Sequence, residues 1–272
     1  MRYLGCSYGY LIFSNLEQCI LVDAYCGADV RPPKLKSSSN QEIYYGIIVA
    51  ALNSPISHLL LFSRSSMFQW QVGTNSWLDH PFYDGQIIQI LSFKGVVFAM
   101  DFIQRLHRIS LAPQFSMQEV PVAWEEDIVV GIFCKPWLVV CGDMLLLVDL
   151  SIDIDELYGF PSTFKVFRLD FSVDPAKWVK VDNLGNCALF ISVDRRNPTF
   201  SSTSPERWGG KSNCIYVASG SEESNEAWTM VELGQAVPST MFSPIYIQKP
   251  SGHGNQLQNL WVLPSFVYGS GQ

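Results

Sequence analysis

Two short apolar runs joined by a polar turn predict the fold. Residues 59–72 read Leu-Leu-Leu-Phe-Ser-Arg-Ser-Ser-Met-Phe-Gln-Trp-Gln-Val. In the second run Phe68, Trp70 and Val72 alternate with glutamines, a period of two that is typical of a strand with one apolar and one polar face. The first run, residues 59–62, does not alternate, and we expect it to form an inner strand that is covered on both faces.

The same unit of strand, turn and strand recurs along the chain. Copies begin near residues 9, 59, 96, 137 and 187. This spacing is about 40 to 50 residues, the length of a four-stranded propeller blade. Helical periodicity is weak, and even the best helical candidate, residues 42–52, contains Gly46 and a β-branched run, so we expect a strand there.

The pattern therefore predicts an all-β fold, a β-propeller of about five or six blades. We expect residues 1–272 to form a single propeller domain. A pair of β-sandwiches is the rival arrangement, but no linker rich in Pro, Ser or Gly divides the chain.

Composition narrows the class of protein. Of the 272 residues, 48% are hydrophobic and 16% are charged, which is too apolar for a disordered chain. The net charge of −7 argues against a nucleic-acid partner, because binding to phosphates needs a basic surface. We also expect no membrane span, since lysine, proline and two aspartates interrupt the most apolar stretch, residues 128–150.

Cysteine usage points to the compartment. The seven cysteines are an odd number in a chain too long to need disulfide staples, and the only glycosylation-like triplet, at Asn197, is blocked by Pro198. A reducing compartment fits best. We predict a cytoplasmic or nuclear protein, with an organelle as the alternative.

Motifs that resemble catalytic or ligand-binding signatures fail their structural context. Residues 5–9 match Gly-x-Ser-x-Gly, but a strand rather than a helix follows them. Residues 209–212 resemble the end of a phosphate loop, yet Pro205 stands where that loop needs glycine. Residues 153–159 resemble the start of a calcium loop, but Leu157 and Tyr158 stand where that loop needs an oxygen ligand and its turn glycine. We predict no catalytic residue, metal or cofactor; the alternative is a propeller hydrolase or lyase with carboxylates in the central channel.

One polar stretch is the candidate binding site. Residues 194–213 are predicted to form a long inter-strand loop in which basic and aromatic side chains are interleaved. Such a mixture is typical of surfaces that bind acidic or phosphorylated protein partners, although a solvated loop without a partner has a similar composition. The candidate partner-binding residues are Arg195, Arg196, Phe200, Arg207, Trp208 and Lys211.

Several phrases, in this order, resemble one known family. They lie at residues 5–11, 20–23, 32–35, 178–185, 188–190, 213–216 and 261–265. Together they resemble the plant F-box-associated propeller family, which has a KIB-type β-propeller domain. The resemblance implies a kelch-like β-propeller that, in many members, follows an N-terminal F-box and selects the substrate of a cullin-based ubiquitin ligase. The family supplies no catalytic residues, so the resemblance implies a non-enzymatic protein-binding module.

The chain departs from this family at its start. It begins inside the first predicted strand pair, with only residues 1–4 before the Gly-x-Ser-x-Gly turn. We therefore expect no binding to the ligase adaptor, which contacts the F-box helices. We also expect an incomplete terminal blade with an exposed edge, near a late strand at Trp261-Val262-Leu263.

Overall fold

A computed structural model describes residues 1–15, 17–35, 42–81, 86–124, 136–151, 162–218 and 228–238. These residues form five β-sheets, the blades of a propeller. Blade 1 contains β1 Arg2–Ser7, β2 Tyr10–Ser14, β3 Cys19–Asp23 and β4 Asp29–Val30. Blade 2 contains β5 Tyr45–Ile48, β6 His58–Phe62, β7 Ser66–Gln71 and β8 Leu78–Pro81. Blade 3 contains β9 Ile87–Phe93, β10 Val96–Asp101, β11 Leu106–Ser110 and β12 Ser116–Glu119.

The remaining strands form blades 4 and 5. Blade 4 contains β13 Val122–Trp124, β14 Trp137–Cys141, β15 Met144–Ser151, β16 Thr163–Asp170 and β17 Ala176–Val181. Blade 5 contains β18 Cys187–Ser192, β19 Phe200–Thr203, β20 Cys214–Ala218 and β21 Trp228–Glu232. The all-β propeller predicted from the sequence is confirmed, and a single 3₁₀ turn, Pro205–Trp208, is the helical element of the described residues.

Tight turns join the inner strands to their neighbours. Tyr8 and Gly9 both have positive φ, and so do Lys94 and Gly95. Two successive positive φ values define the hairpin turn whose twist matches that of the flanking strands. The Gly-x-Ser-x-Gly phrase at residues 5–9 is thus the end of a strand and a hairpin turn.

Burial follows from the way the blades pack face to face. All five residues of β6 are buried, which confirms the strand expected to be covered on both faces. The expectation for β7 is wrong at Gln69, which is 3% exposed. Its amide lies 3.2 Å from His58 Nδ1 and 2.8 Å from His80 Nε2, so the polar face is buried because hydrogen bonds satisfy it.

The order of strands departs from a simple meander in two blades. Blade 4 has a fifth, outermost strand, because β13 pairs in parallel with β17. Blade 5 has the order β19-β18-β20-β21, and β18 and β20 run parallel. Residues 194–213 are therefore not one loop as predicted, since they contain an inner strand and a 3₁₀ turn.

The incomplete terminal blade predicted from the sequence is not found. Blades 1 and 5 each contain four strands within the described residues. Residues 2–30 supply the whole of blade 1, so this blade needs no strand from the other terminus. The strand predicted at Trp261-Val262-Leu263 lies outside the described residues.

Close packing of the inner strands generates a stability prediction. A Cβ at Gly5 would lie 2.3 Å from the carbonyl oxygen of Gly46, whereas a Cβ at Gly46 would meet only side-chain atoms, at 3.0 Å or more. We expect Gly5→Ala to lower the free energy of unfolding by about 1–3 kcal/mol, because backbone must move. Urea unfolding measures the loss, and the matched variant Gly46→Ala should cost less; an equal or smaller cost for Gly5→Ala contradicts the packing.

Candidate functional site

The inner strands of the five blades enclose a central cavity of about 470 Å³. Its walls include residues from β1, β5, β9, β14 and β19. Gln89 spans three blades here: its Nε2 donates to the Leu138 carbonyl at 2.7 Å and to Thr199 Oγ1 at 3.0 Å. Its Oε1 accepts the Leu138 N–H at 2.8 Å, so the side chain joins inner strands that have no common sheet.

The cavity offers little acid–base chemistry. In the described part of the chain, no Asp, Glu or His side chain lines it. Its one thiol belongs to Cys6, and burial raises the pKa of that group to about 12, which leaves it protonated and unreactive near neutral pH. The described residues also contain no group of three side chains placed to hold a metal ion, and none of their helical segments is long and apolar enough to cross a membrane.

Arg196 closes the ring between blades 5 and 1. Its guanidinium binds both carboxylate oxygens of Asp194, with Nη2–Oδ2 at 2.7 Å and Nε–Oδ1 at 2.9 Å. Nη1 donates to the Tyr3 carbonyl at 3.1 Å, and the guanidinium carbon lies 5.1 Å from the centre of the Tyr3 ring. The Arg196 carbonyl in turn accepts the Cys6 N–H at 3.2 Å. Burial by itself would lower the pKa of Arg196, but the Asp194 carboxylate raises it above its ordinary value.

Asn197 and Arg195 extend this contact to both sides. The Tyr3 hydroxyl donates to Asn197 Oδ1 at 3.1 Å. Arg195 lies over the ring of Trp137, with its guanidinium carbon 4.2 Å from the ring centre, and donates to the Pro136 carbonyl. The two arginines predicted to bind a partner therefore hold blade 5 to its neighbours on both sides.

Aromatic rings cross blade 5 in a ladder. Phe190 stacks on Phe200 at 4.3 Å and on Tyr216 at 4.9 Å, with interplanar angles of 7° and 12°. The strand registers place these rings opposite one another. Trp208 packs over the ladder, 5.8 Å from Phe190 and 5.7 Å from Tyr216, and Trp228 lies 6.2 Å from Tyr216. We call this set of five rings the aromatic ladder.

The local sequence explains how Trp208 reaches the ladder. Pro205 begins the 3₁₀ turn, and Gly209 ends it with φ at 85°, a conformation that glycine adopts without strain. A Cβ at Gly210 would lie 2.2 Å from the Trp208 ring, so only glycine leaves room for the ring. Trp208 Nε1 donates to Ser202 Oγ at 3.0 Å. The Gly-Gly-Lys-Ser phrase thus positions a tryptophan.

The six predicted residues separate into two groups. Arg195 and Arg196 lie in the contacts of blade 5 with blades 4 and 1. Phe200 and Trp208 belong to the aromatic ladder, with Arg207 and Lys211 exposed beside it; the Lys211 N–H donates to the Tyr216 hydroxyl at 2.9 Å. A role of these residues in partner binding stays a prediction.

Sequence reasoning missed three members of this surface. The recurring pattern predicts strands at Phe190, Tyr216 and Trp228 within one repeat unit, but it does not show that the three rings share one face of a sheet. Trp208 and Trp228 are 50% and 44% exposed, and Met230 beside them is 39% exposed. The alternation of apolar residues in β20 and β21 indicates that each strand has two different faces. Which face is exposed depends on the parallel pairing of β18 with β20.

The fold and the site define a class: a β-propeller, with five blades in the described residues, whose most distinctive surface is a half-exposed aromatic face. The family model described as KIB1-4 beta-propeller matches residues 1–238. The chain belongs to this family, which confirms the resemblance seen in the sequence.

One curated relative is an F-box protein from Arabidopsis thaliana, 32% identical over 133 residues. The match covers 47% of this chain and 38% of that protein, so the chain spans well under half of its relative's length. Two solved structures share a general likeness. The extracellular domain of a putative hybrid two-component system from B. thetaiotaomicron has a TM-score of 0.38 at 9% identity, over 69% of this chain and 23% of its own. The N-terminal domain of Nup159 has a TM-score of 0.33 at 8% identity, over 66% and 61%.

The closing contact makes a prediction about Arg196. We expect Arg196→Gln to lower the free energy of unfolding by about 2 kcal/mol, because hydrogen bonds to a charged group are lost and Asp194 is left without its cation. The exposed neighbour Arg207→Gln should change stability by less than about 0.5 kcal/mol. Denaturant unfolding compares the two variants, and equal stabilities would show that Arg196 does not hold the ring.

Proposed function

We propose that this chain is a non-enzymatic protein-binding propeller and that it recognises the target of a plant cullin-based ubiquitin ligase. The observation that carries the proposal is the half-exposed aromatic ladder of blade 5. Membership of the KIB1-4 family and the likeness to an F-box protein support it. The proposed place of action is the cytoplasm or the nucleus.

The aromatic ladder has the composition of a binding hot spot. Tryptophan and tyrosine dominate such hot spots because each buries a large area with few rotatable bonds. Trp208 is held from below by stacked rings and by its hydrogen bond to Ser202, so little conformational entropy is lost when a partner covers it. Arg207 and Lys211 lie beside it and would pair with acidic side chains of the partner.

Binding is favoured over catalysis by the chemistry of the central cavity. A propeller hydrolase or lyase needs a base, an acid or a metal at the channel. The cavity walls that the structure describes carry a protonated thiol, hydroxyls and amides. The arginine there is already paired with Asp194, so we propose that the cavity is a structural feature of the ring.

The experiment is affinity purification of the tagged full chain from plant tissue, with quantitative mass spectrometry. We expect Trp208→Ala to reduce recovery of the specific partners by about tenfold or more, as loss of a hot-spot residue does. The control is Phe102→Ala, which removes a similarly exposed ring (51%) from blade 3. Thermal unfolding of both variants establishes that they are folded.

Two results would contradict the proposal at different levels. Unchanged partners for Trp208→Ala would exclude the aromatic ladder as the binding surface. Partners that depend on Trp208 but never include a ligase component or a ubiquitinated protein would leave protein binding in place and exclude the ligase role.

A further inference from the structure

We propose that the outer edge of β21 is a strand-addition site: an extended segment of the partner protein pairs with it and becomes the fifth strand of blade 5. This inference rests on the proposed function, because it states how the partner is held. Such pairing would add hydrogen bonds between the two backbones to the contacts that the aromatic rings make.

The alternation of hydrogen bonds along β21 shows which of its backbone groups point away from β20. The Leu233 N–H donates to the Asn213 carbonyl at 2.9 Å, in register with the β20–β21 ladder. In an antiparallel pair, alternate residues direct both backbone groups to the same neighbour. Thr229 and Val231 therefore bond to β20, and Met230 directs its N–H and C=O to the outer edge. The Glu232 N–H points the same way, while its carbonyl accepts the Gln235 N–H in the following turn.

The side chains along this edge suit a partner strand. Val231 is buried in the core between blades 4 and 5. Met230 and Glu232 lie on the opposite, exposed face, and the register places Met230 beside Tyr216 of the aromatic ladder. An added strand would continue the ladder outward, with its alternate side chains packed on Met230 and Trp228.

Blades 1 and 2 protect their outer edges, as proteins commonly do against unwanted pairing. In blade 1 the outer strand β4 has two residues, and in blade 2 β8 ends at Pro81. By contrast β21 has five residues with no proline, lysine or bulge.

Blade 4 shows that this architecture accepts a fifth strand. There β13 pairs with the outer edge of β17. Its Trp124 packs on the blade face, 6.1 Å from Trp178 and 5.1 Å from Phe167. A partner strand on β21 would repeat this arrangement with a side chain on Met230 and Trp228.

Charge selects a partner over a second copy of this chain. Each copy carries a net charge of −7, and Glu232 is the charged side chain of β21, so self-pairing would bring like charges together. The occupant we infer is an extended protein segment with large apolar side chains at alternate positions and a lysine or arginine opposite Glu232.

The test is selection of random linear peptides, displayed on phage, against the immobilised full chain. Met230→Pro removes the outward N–H and places a ring at the edge, while the hydrogen bonds to β20 remain. We expect it to weaken the selected peptides by about tenfold or more. Met230→Ala keeps the N–H and should weaken them less, and thermal unfolding checks that both variants are folded. In hydrogen exchange, saturating peptide should slow the amides of Met230 and Glu232 and leave that of Val231 unchanged.

Four results would overturn the inference. They are the absence of any selected peptide, peptides that bind Met230→Pro as well as the natural chain, edge amides already protected in the free chain, and a dimer in sedimentation that Met230→Pro abolishes. None of these bears on the capture of partners through Trp208, so failure of strand addition is distinguishable from failure of the proposed function.

Discussion

Closure of the ring between blades 5 and 1 is the constraint on which the rest of the propeller depends. The apolar clusters of the described residues span blades 1 and 2, 2 and 3, 3 and 4, and 4 and 5. At the remaining contact, between blades 5 and 1, Arg196 joins Asp194 to the backbone of β1. A directional, charge-assisted contact fixes one relative position of the two blades more narrowly than apolar packing does. Inner strands of all five blades line the cavity that this closure completes.

The same contact leaves the aromatic face of blade 5 partly exposed. Because a polar contact at the inner strands joins blades 5 and 1, the aromatic face of blade 5 keeps Trp208 and Trp228 half exposed. The rings stack on one another across the blade, so contacts within blade 5 order them. A pre-ordered aromatic surface of this kind favours protein recognition, since little side-chain entropy is lost on binding. The central cavity is lined by amides that are hydrogen-bonded within the ring and by the protonated thiol of Cys6.

Much of the fold followed from local pattern, and particular residues show where prediction ended. The unbroken apolar run at residues 59–62 correctly predicted a strand buried on both faces. A strand with apolar side chains on both faces is stable only when other strands pack against both of them. Gln69 has the alternating pattern of a half-exposed strand, yet it is buried, because His58 and His80 satisfy its amide. Those partners come from other strands, so no local signal carried them. In the candidate site, the sequence grouped Phe200 and Trp208 with Arg195 and Arg196, whereas the structure places the two arginines in contacts with other blades.

The sequence by itself determined the class of this protein: its strand-forming runs and turns, repeated at blade length, specify an all-β propeller, and its order of phrases specifies the family. These are properties of neighbouring residues, since alternation, turn glycines and repeat length all lie within one hairpin or blade. Only the tertiary structure decided that residues 200–203 form an inner strand, that β18 and β20 run parallel, and that Arg196 closes the ring. Each of these depends on which distant strands become neighbours, and backbone hydrogen bonding is the same for every strand, so the choice is made by the packing of the whole ring.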